Sequence, residues 1–242
     1  MRTTSVKPCP VRIATRNQML VKVETDEGIY GWGESGFIGR EIAVAGAVQH
    51  FGQFLEGRDP MRRGALWQEM YRSQYFEGGR TLTAAISAID IALHDIAAKK
   101  LGVPVYQLLG GRQRDYVPCF ATVQKPTIEE NIAGAELLQR LGWQAIRMCW
   151  MNHAPDEPLL FEPRQTLGPT AELLIKTRER LGRTPVLGVE VYPVQPELRD
   201  DKVFVRDQPG LGIEVDEAAL EGEFDFVEPP HLHRADGSHT NA

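Results

Sequence analysis

The alternation of hydrophobic and polar positions predicts an antiparallel sheet at the start of the chain. Residues 19–24 and 29–34 have the apolar side chains of two strands, and the Asp-Glu-Gly between them is typical of a hairpin turn. Glycines in the second strand indicate close backbone approach or a bulge. Residues 5–13 predict a third strand, which Pro8 and Pro10 restrict to the edge of the sheet.

Helical spacing follows the predicted strands. Residues 41–55 have apolar side chains at helical intervals, and a second helix is predicted around 66–71, after an Asp-Pro start signal. The clearest helix covers 83–99, where the apolar stripe is formed by Ile86, Ile89, Leu93 and Ile96. We interpret Asp90 and Asp95 on this helix as structural, as caps or arginine partners. Together these elements predict an α+β unit.

The second half of the chain changes to an alternation of strands and helices. The predicted order is strand, helix, strand, helix, strand, at residues 117–123, 127–141, 145–150, 170–181 and 186–192. The second of these elements begins with a capping-box sequence. Strands that alternate with helices at this spacing are typical of βαβ units with parallel strands.

Length sets a limit on this second unit. A closed (β/α)₈ barrel takes roughly 250 residues, or at least about 200. The stretch 117–193 has room for three strands, and beyond it only one more short strand, at 202–206, and a helical turn at 216–220 are indicated. Three parallel strands do not close, so a partner chain or a rearranged sheet is expected to cover their edge.

Composition excludes several functional classes. The net charge of −6 argues against a nucleic-acid-binding protein, and no apolar run reaches the ~18 residues that span a bilayer. The first residues lack an apolar signal core, so we expect a cytoplasmic protein. Cys9, Cys119 and Cys149 include no CxxC pair, which favours buried free thiols over a disulfide framework or a zinc site.

Several segments resemble one enzyme family. Residues 85–110 resemble the N-terminal signature of the mandelate racemase/muconate lactonizing enzyme group of the enolase superfamily. Residues 21–34 (VKVETDEGIYGWGE) and 57–60 (GRDP) also resemble the capping domain of that group, most closely its galactonate- and mannonate-type acid-sugar dehydratases. Residues 210–216 and 234–238 are similar to the C-terminal ends of those enzymes.

This resemblance implies the domain organisation. Residues 1–113 are expected to form an α+β N-terminal capping domain, with an antiparallel sheet plus helices. Residues 114–193 are expected to form a partial (β/α) TIM-barrel segment of about three strands, and 194–242 a C-terminal segment that returns to the capping domain. Because family members have a whole barrel between these parts, we interpret the chain as lacking an internal block of about five βα units, joined near 193–201.

The resemblance also implies the chemistry. The family removes a proton next to a carboxylate, and in the dehydratase branch water is then lost to give a 2-keto-3-deoxy acid. Mg²⁺ stabilises the intermediate, held by three carboxylates at the ends of the third, fourth and fifth strands. The implied cofactor is therefore Mg²⁺ and the implied partner a sugar acid. A single carboxylate does not make such a site, so we expect this chain to be inactive.

Three barrel residues match positions of the family site. Glu190, at the end of the predicted third strand, aligns with the first metal ligand, where the family mostly has Asp. Tyr192 stands where galactonate-type enzymes have a His acid, and a phenol with a reference pKa of about 10 is a poorer acid. Arg147 stands where the family has a Lys or Arg facing the active site, and it suits carboxylate binding better than proton abstraction. An ordinary salt bridge is the alternative for Arg147.

Other candidates lie in loops. His153 follows the second barrel strand and could contact substrate, although a surface histidine is the alternative. Arg16 and Asn17 lie in one capping-domain loop, and Arg40 in another. In relatives these loops cover the barrel mouth and touch the distal end of the substrate; surface arginine is the alternative reading.

The sequence leaves three functional hypotheses open. The first is a Mg²⁺-dependent acid-sugar dehydratase lineage whose shortened chain is inactive. The second is a non-enzymatic interaction or oligomerisation module, in which a second copy covers the open strands to form a homo-oligomer. The third is a product of a degraded gene, which has no function.

Overall fold

The computed structural model describes residues 1–13, 16–76, 78–148, 163–182, 197–199, 202–204, 207–220, 224 and 226–227. Its contacts divide the chain into two compact units. The first contains the described residues of 1–113 and 206–228, and the second contains those of 114–190 and 197–205.

The first unit is built on an antiparallel sheet. Strands β1 (Thr3–Ile13), β2 (Arg16–Thr25) and β3 (Tyr30–Ser35) pair in the order β1-β2-β3. The edge position predicted for the first strand is therefore confirmed. Pro8 lies opposite Val21 in this register, at the edge strand where a residue without a backbone N–H is tolerated.

Four helices complete the first unit: α1 (Glu41–Leu55), α2 (Arg63–Arg72), α3 (Gly79–Leu101) and α4 (Val105–Leu108). Helix α3 is longer than predicted, and it ends at Gly102, whose φ of 69° suits a residue without a Cβ. The predicted apolar stripe of α3 is buried in the core of this unit.

Helix α3 and strand β3 lie in unusually close contact. A Cβ at Gly33 would be 1.9 Å from the carbonyl oxygen of Ala88, and one at Gly31 would be 2.1 Å from that of Ala92. The predicted close backbone approach is therefore confirmed at both glycines. Among the described residues, α3 is the one helix long and apolar enough to cross a membrane, but 56% of its most apolar window is buried within the protein, as in a core helix.

The second unit contains a parallel strand pair. Strands β5 (Ala121–Val123) and β6 (Ile146–Met148) are parallel and are connected through α5 (Ile128–Arg140). The predicted βαβ architecture is thereby confirmed. So is the capping box of α5, in which Thr127 Oγ1 accepts the Glu130 N–H and Glu130 Oε2 accepts the Thr127 N–H, both at 3.2 Å.

Two predicted elements of the second unit differ in the structure. The single strand predicted at 117–123 is divided into β4 (Tyr116–Pro118) and β5, because β4 pairs antiparallel with a different strand from the one that pairs with β5. Helix α6 (Pro163–Leu181) begins earlier than the predicted residue 170 and contains Pro169.

The C-terminal part of the chain also differs from its prediction. Strands β7 (Glu197–Arg199) and β8 (Lys202–Phe204) form a hairpin, and β8 pairs with β4 in the sheet order β4-β8-β7. These residues therefore belong to the second unit, whereas the prediction placed all of 194–242 with the capping domain. The third parallel strand predicted at 186–192 lies outside the described residues.

Residues 207–220, which end in a 3₁₀ turn at Glu217–Leu220, pack in the first unit. Their anchor is Asp95, whose buried carboxylate accepts the N–H of Leu211 at 2.9 Å, the N–H of Trp32 at 3.2 Å and the Lys99 ammonium at 2.7 Å. We call these four residues the Asp95 cluster. The structural role predicted for Asp95 is confirmed, with a lysine and backbone amides as its partners.

Two cysteines are described. Cys9 and Cys119 are free thiols, and both are half-buried, which is less than the full burial predicted. Burial raises the pKa of the Cys9 thiol, and Lys22 opposes this shift. Cys149 lies outside the described residues.

Candidate functional site

The candidate site in the second unit is an arginine on the parallel strand pair. Arg147 lies at the centre of β6, directly opposite Thr122 of β5, and its Nε donates a hydrogen bond of 2.9 Å to Thr122 Oγ1. The guanidinium carbon lies 5.3 Å from the centre of the Phe120 ring. One hydroxyl and one aromatic ring therefore fix the direction of an exposed cation.

The charge of Arg147 is not matched by a salt bridge within the described part of the chain. No carboxylate among the described residues lies within ion-pair distance of it, so the salt-bridge alternative gains no support there. The bond to Thr122 uses the Nε–H and leaves the two terminal nitrogens of the guanidinium as the pair that matches a carboxylate. Such a group binds and orients an anion, and because a guanidinium keeps its proton it is a poor general base.

Sequence reasoning missed the two residues that hold Arg147. Thr122 and Phe120 belong to the preceding strand and its N-terminal flank, and they meet Arg147 because Ala121 pairs with Ile146 in the parallel register. The register of a three-residue strand depends on tertiary packing, so no local signal pointed to this contact.

Three of the predicted site residues cannot be placed. Glu190, Tyr192 and His153 lie outside the described residues, so their proposed roles as metal ligand, acid and substrate contact stay predictions.

The described surroundings of Arg147 do not fit Mg²⁺. This ion takes hard oxygen ligands in near-octahedral geometry, whereas the described groups that contact the Arg147 side chain are the Thr122 hydroxyl and the Phe120 ring. Within the described ranges, no three His, Cys, Asp or Glu side chains come together where they could hold a metal ion. No step through Mg²⁺ can therefore be derived from these residues.

The capping-loop candidates belong to the first unit and have different environments. Arg16 begins β2 opposite Ile13 and is exposed. Arg40, just before α1, is also exposed, and its Nη1 donates to the carbonyl of Gly39 at 2.5 Å. Both arginines are accessible to a ligand.

Asn17 differs from its prediction as a substrate contact. Its side chain is only 5% exposed. Its Nδ2 donates to the carbonyl of Val227 at 2.8 Å, and its Oδ1 accepts the N–H of the same residue at 3.4 Å. Because both ends of the amide bind one backbone unit, Asn17 acts here as an anchor for the C-terminal segment.

A buried acid follows the second capping loop and escaped the sequence reasoning. Glu41 is fully buried, and its Oε1 accepts the N–H of Gly39 at 2.8 Å. Its Oε2 has no hydrogen-bond partner among the described residues. An acidic residue in the first turn of a helix is common at exposed positions, so the burial of Glu41 could not be expected from its place in the sequence.

Comparison with protein families matches the first unit. Residues 2–110 fit the N-terminal domain of mandelate racemase/muconate lactonizing enzymes. A D-galactonate dehydratase from Variovorax paradoxus is 54% identical over 153 residues, which are 63% of this chain and 39% of that protein. A D-galactonate dehydratase from Pectobacterium atrosepticum is 36% identical over 72% of this chain and 44% of that protein. The chain thus spans about two fifths of the length of these relatives.

Solved structures agree with this assignment at the level of the fold. A crystal structure of an enolase from Pantoea ananatis, with bound D-gluconate and Mg, superimposes with a TM-score of 0.76 at 20% identity. The match covers 98% of this chain and 99% of that one. At this identity the likeness concerns the fold alone. Residues 2–110 are therefore an N-terminal domain of the mandelate racemase/muconate lactonizing enzyme family.

Proposed function

We propose that this chain belongs to a lineage of Mg²⁺-dependent acid-sugar dehydratases, that it binds a sugar acid at Arg147, and that it does not complete the dehydration by itself. The observation that carries the proposal is the exposed guanidinium of Arg147, fixed on a parallel βαβ unit that follows an N-terminal domain of this family. Its relatives are named D-galactonate dehydratases.

The proposed chemistry begins with the substrate carboxylate. A proton on the carbon next to a carboxylate is very weakly acidic, so its removal needs a base and a strong stabiliser of the developing negative charge. When bound, Mg²⁺ supplies that stabilisation in this lineage. Arg147 binds and orients the carboxylate, and Thr122 and Phe120 keep the guanidinium in place.

The proposed inactivity follows from the extent of the barrel. The described residues include one parallel pair, β5 and β6, and the chain spans about two fifths of its curated relatives. The lineage is expected to take its metal-binding carboxylates from successive barrel strands, of which this chain has one candidate, Glu190. A single carboxylate leaves most of an octahedral shell to water and binds Mg²⁺ weakly.

Calorimetric titration with D-galactonate, D-gluconate and D-mannonate tests the binding site. We expect one of these acids to bind and Arg147→Ala to weaken it by about tenfold, since a charge-assisted hydrogen-bonded pair is lost. Arg147→Lys is expected to recover part of the affinity. Arg140→Ala removes the same charge from an exposed position at the end of α5 and serves as the control. Equal affinities for Arg147→Ala and Arg140→Ala would show that the acid binds elsewhere.

A turnover assay tests the proposed inactivity separately. Incubation of the three acids with the protein and Mg²⁺ is expected to yield no 2-keto-3-deoxy product. Formation of that product by the purified chain, at a rate that falls with Arg147→Ala, would overturn the inactivity and keep the binding site.

A second candidate function rests on the edge of β6 that faces away from β5. Within the described residues β6 has one strand neighbour, β5, and a cavity of about 320 Å³ lies beside it. Its apolar lining includes Ile146, Met148, Leu174 and Leu181. We infer that a second copy of the chain covers this edge, because an unpaired strand next to apolar surface promotes association.

Light scattering after size exclusion tests this association. The unmodified chain is expected to elute as a homo-oligomer. Leu174→Asp, which places a charge in the cavity lining, is expected to shift it toward monomer. Leu137→Asp is the matched control, since both leucines are about half exposed and Leu137 lies on α5 outside the lining. A monomer at all concentrations would exclude the proposal.

We also propose a cytoplasmic location. The described thiols, Cys9 and Cys119, are free, as is usual in a reducing compartment. Cell fractionation checks this location, and recovery of the protein from an oxidising compartment would contradict it.

A further inference from the structure

A charged cavity lies in the first unit and has no part in the proposed dehydratase chemistry. It has a volume of about 280 Å³, at the start of α2 and next to the turn that precedes it. Three arginines line it, Arg2, Arg58 and Arg62, together with the carboxylates of Asp59 and Glu69.

Contacts within the protein already use some of the charged groups of this cavity. Arg58 and Glu69 form a two-pronged ion pair, with N···O distances of 2.7 and 2.6 Å. Asp59 Oδ1 accepts the N–H of Met61 at 2.9 Å. One Nη of Arg2 donates to the carbonyl of Gly57 at 3.3 Å. After the Arg58 pair and the charge on Asp59 are counted, the lining retains one net positive charge.

Arg62 is the group that supplies this excess. Its guanidinium has no hydrogen bond or ion pair with any described residue, although its charge contributes to the lowered pKa of Glu69, after the larger effect of Arg58. A guanidinium has five N–H donors, and no described residue accepts a hydrogen bond from those of Arg62. Arg2 also retains donors beyond its single bond to Gly57.

We propose that this cavity binds a small phosphate-type oxyanion, held between Arg62 and Arg2, with the Arg58–Glu69 pair forming one wall. Guanidinium groups bind tetrahedral oxyanions through paired N–H donors. Arg2 and Arg62 both line this cavity, and the single carboxylate of Asp59 balances the charge of only one of them. The cavity has room for inorganic phosphate or for the phosphoryl group of a small phosphorylated sugar.

Titration calorimetry at constant ionic strength distinguishes these two sources. Inorganic phosphate, glucose 6-phosphate and D-gluconate are each titrated into the full chain, with chloride as the screening control. We expect saturable binding of phosphate or of the sugar phosphate. Tighter binding of inorganic phosphate identifies the free ion as the ligand, and tighter binding of glucose 6-phosphate identifies a phosphorylated sugar. Gluconate binding is expected to be unaffected by changes at this cavity.

Variants of α2 locate the site. Arg62→Ala is expected to weaken phosphate binding by about tenfold, through the loss of charge-assisted hydrogen bonds. Arg2→Ala is expected to weaken it less, and Arg62→Lys to restore part of it. Arg72→Ala removes the same charge from the exposed C-terminal end of the same helix and is expected to have no effect. Equal losses for Arg62→Ala and Arg72→Ala, or no saturable binding of either phosphate compound, would overturn the proposal.

Discussion

The two units of this chain are stabilised in different ways. In the first, the strands have six to eleven residues, and β2 and β3 pack on the 23-residue helix α3. The contact of β3 with α3 is so close that two glycines face the helix backbone. In the second, the strands have three residues each, and apolar side chains such as Leu174 and Ile175 are exposed. The first unit therefore closes its own core, whereas the second has apolar surface that further strands or a partner could cover.

The largest effect is expected at the contact between β3 and α3. Gly33→Ala places a methyl group where the Ala88 carbonyl lies, so the strand or the helix must shift. We expect the free energy of unfolding to fall by about 3 kcal/mol. Gly36→Ala is the control, because no atom lies within 4 Å of a Cβ there. Urea denaturation measures both, and equal stabilities would show that the contact is not tight.

The next effect is expected at the Asp95 cluster. Asp95→Ala leaves two backbone N–H groups and a lysine ammonium without their carboxylate, and we expect a loss of about 2 kcal/mol. Asp90→Ala on the same helix is the control, since Asp90 is only half-buried and its pKa is raised by burial, against the opposing charges of His94 and Arg63. If Asp95→Ala lowers the free energy of unfolding less than Asp90→Ala does, the Asp95 cluster is not the anchor of residues 207–220.

In the second unit the sharpest local test is the capping box of α5. Thr127→Ala removes the oxygen that accepts the Glu130 N–H, and we expect a loss of about 1 kcal/mol. Thr127→Ser keeps this acceptor and is expected to restore most of the stability. Thermal unfolding followed by circular dichroism measures the difference. If α5 is already frayed in the native chain, the alanine and serine variants will melt together.

The smallest effect concerns the surface charges of the first unit. Hydrogen bonds from Lys7 and Ser5 lower the pKa of Glu24 to about 2. Because the folded pKa lies below the unfolded one, this contribution is present above pH of about 4.5 and is lost as the pH falls toward 2. We expect it to be at most about 1 kcal/mol, since solvent screens the partly exposed pair.

Denaturation of Glu24→Gln at two pH values checks the sign of this effect. The variant is expected to be less stable than the unmodified chain at pH 7, and the two are expected to converge near pH 2. A difference that grows on acidification would contradict the assigned cause.

Local signals predicted most of the first unit. Residue spacing along the chain predicts the apolar stripe of α3. The side chain of proline and the missing Cβ of glycine predict the edge position of β1 and the close approach at β3. The antiparallel hairpin follows from its turn, so the register of β2 and β3 was within reach.

Non-local pairing was not predictable in the same way. The division of the strand at 117–123 depends on pairing with residues more than 80 positions away, and the role of Asn17 depends on Val227. The contact between Thr122 and Arg147 depends on a parallel register that no turn specifies. Family resemblance located Arg147 without the residues that hold it.

The most direct test of the proposed site is a titration of the labelled chain with Mg²⁺ and each of D-galactonate, D-gluconate and D-mannonate, followed by NMR at the Arg147 Nε–H. We expect one of the acids to cause a saturable shift of this resonance, which is absent in Arg147→Lys, and no 2-keto-3-deoxy signal in the same samples. An Arg147 resonance that stays unshifted at high concentrations of all three acids would contradict the proposed binding site, and accumulation of the dehydrated product would contradict the proposed inactivity of the chain.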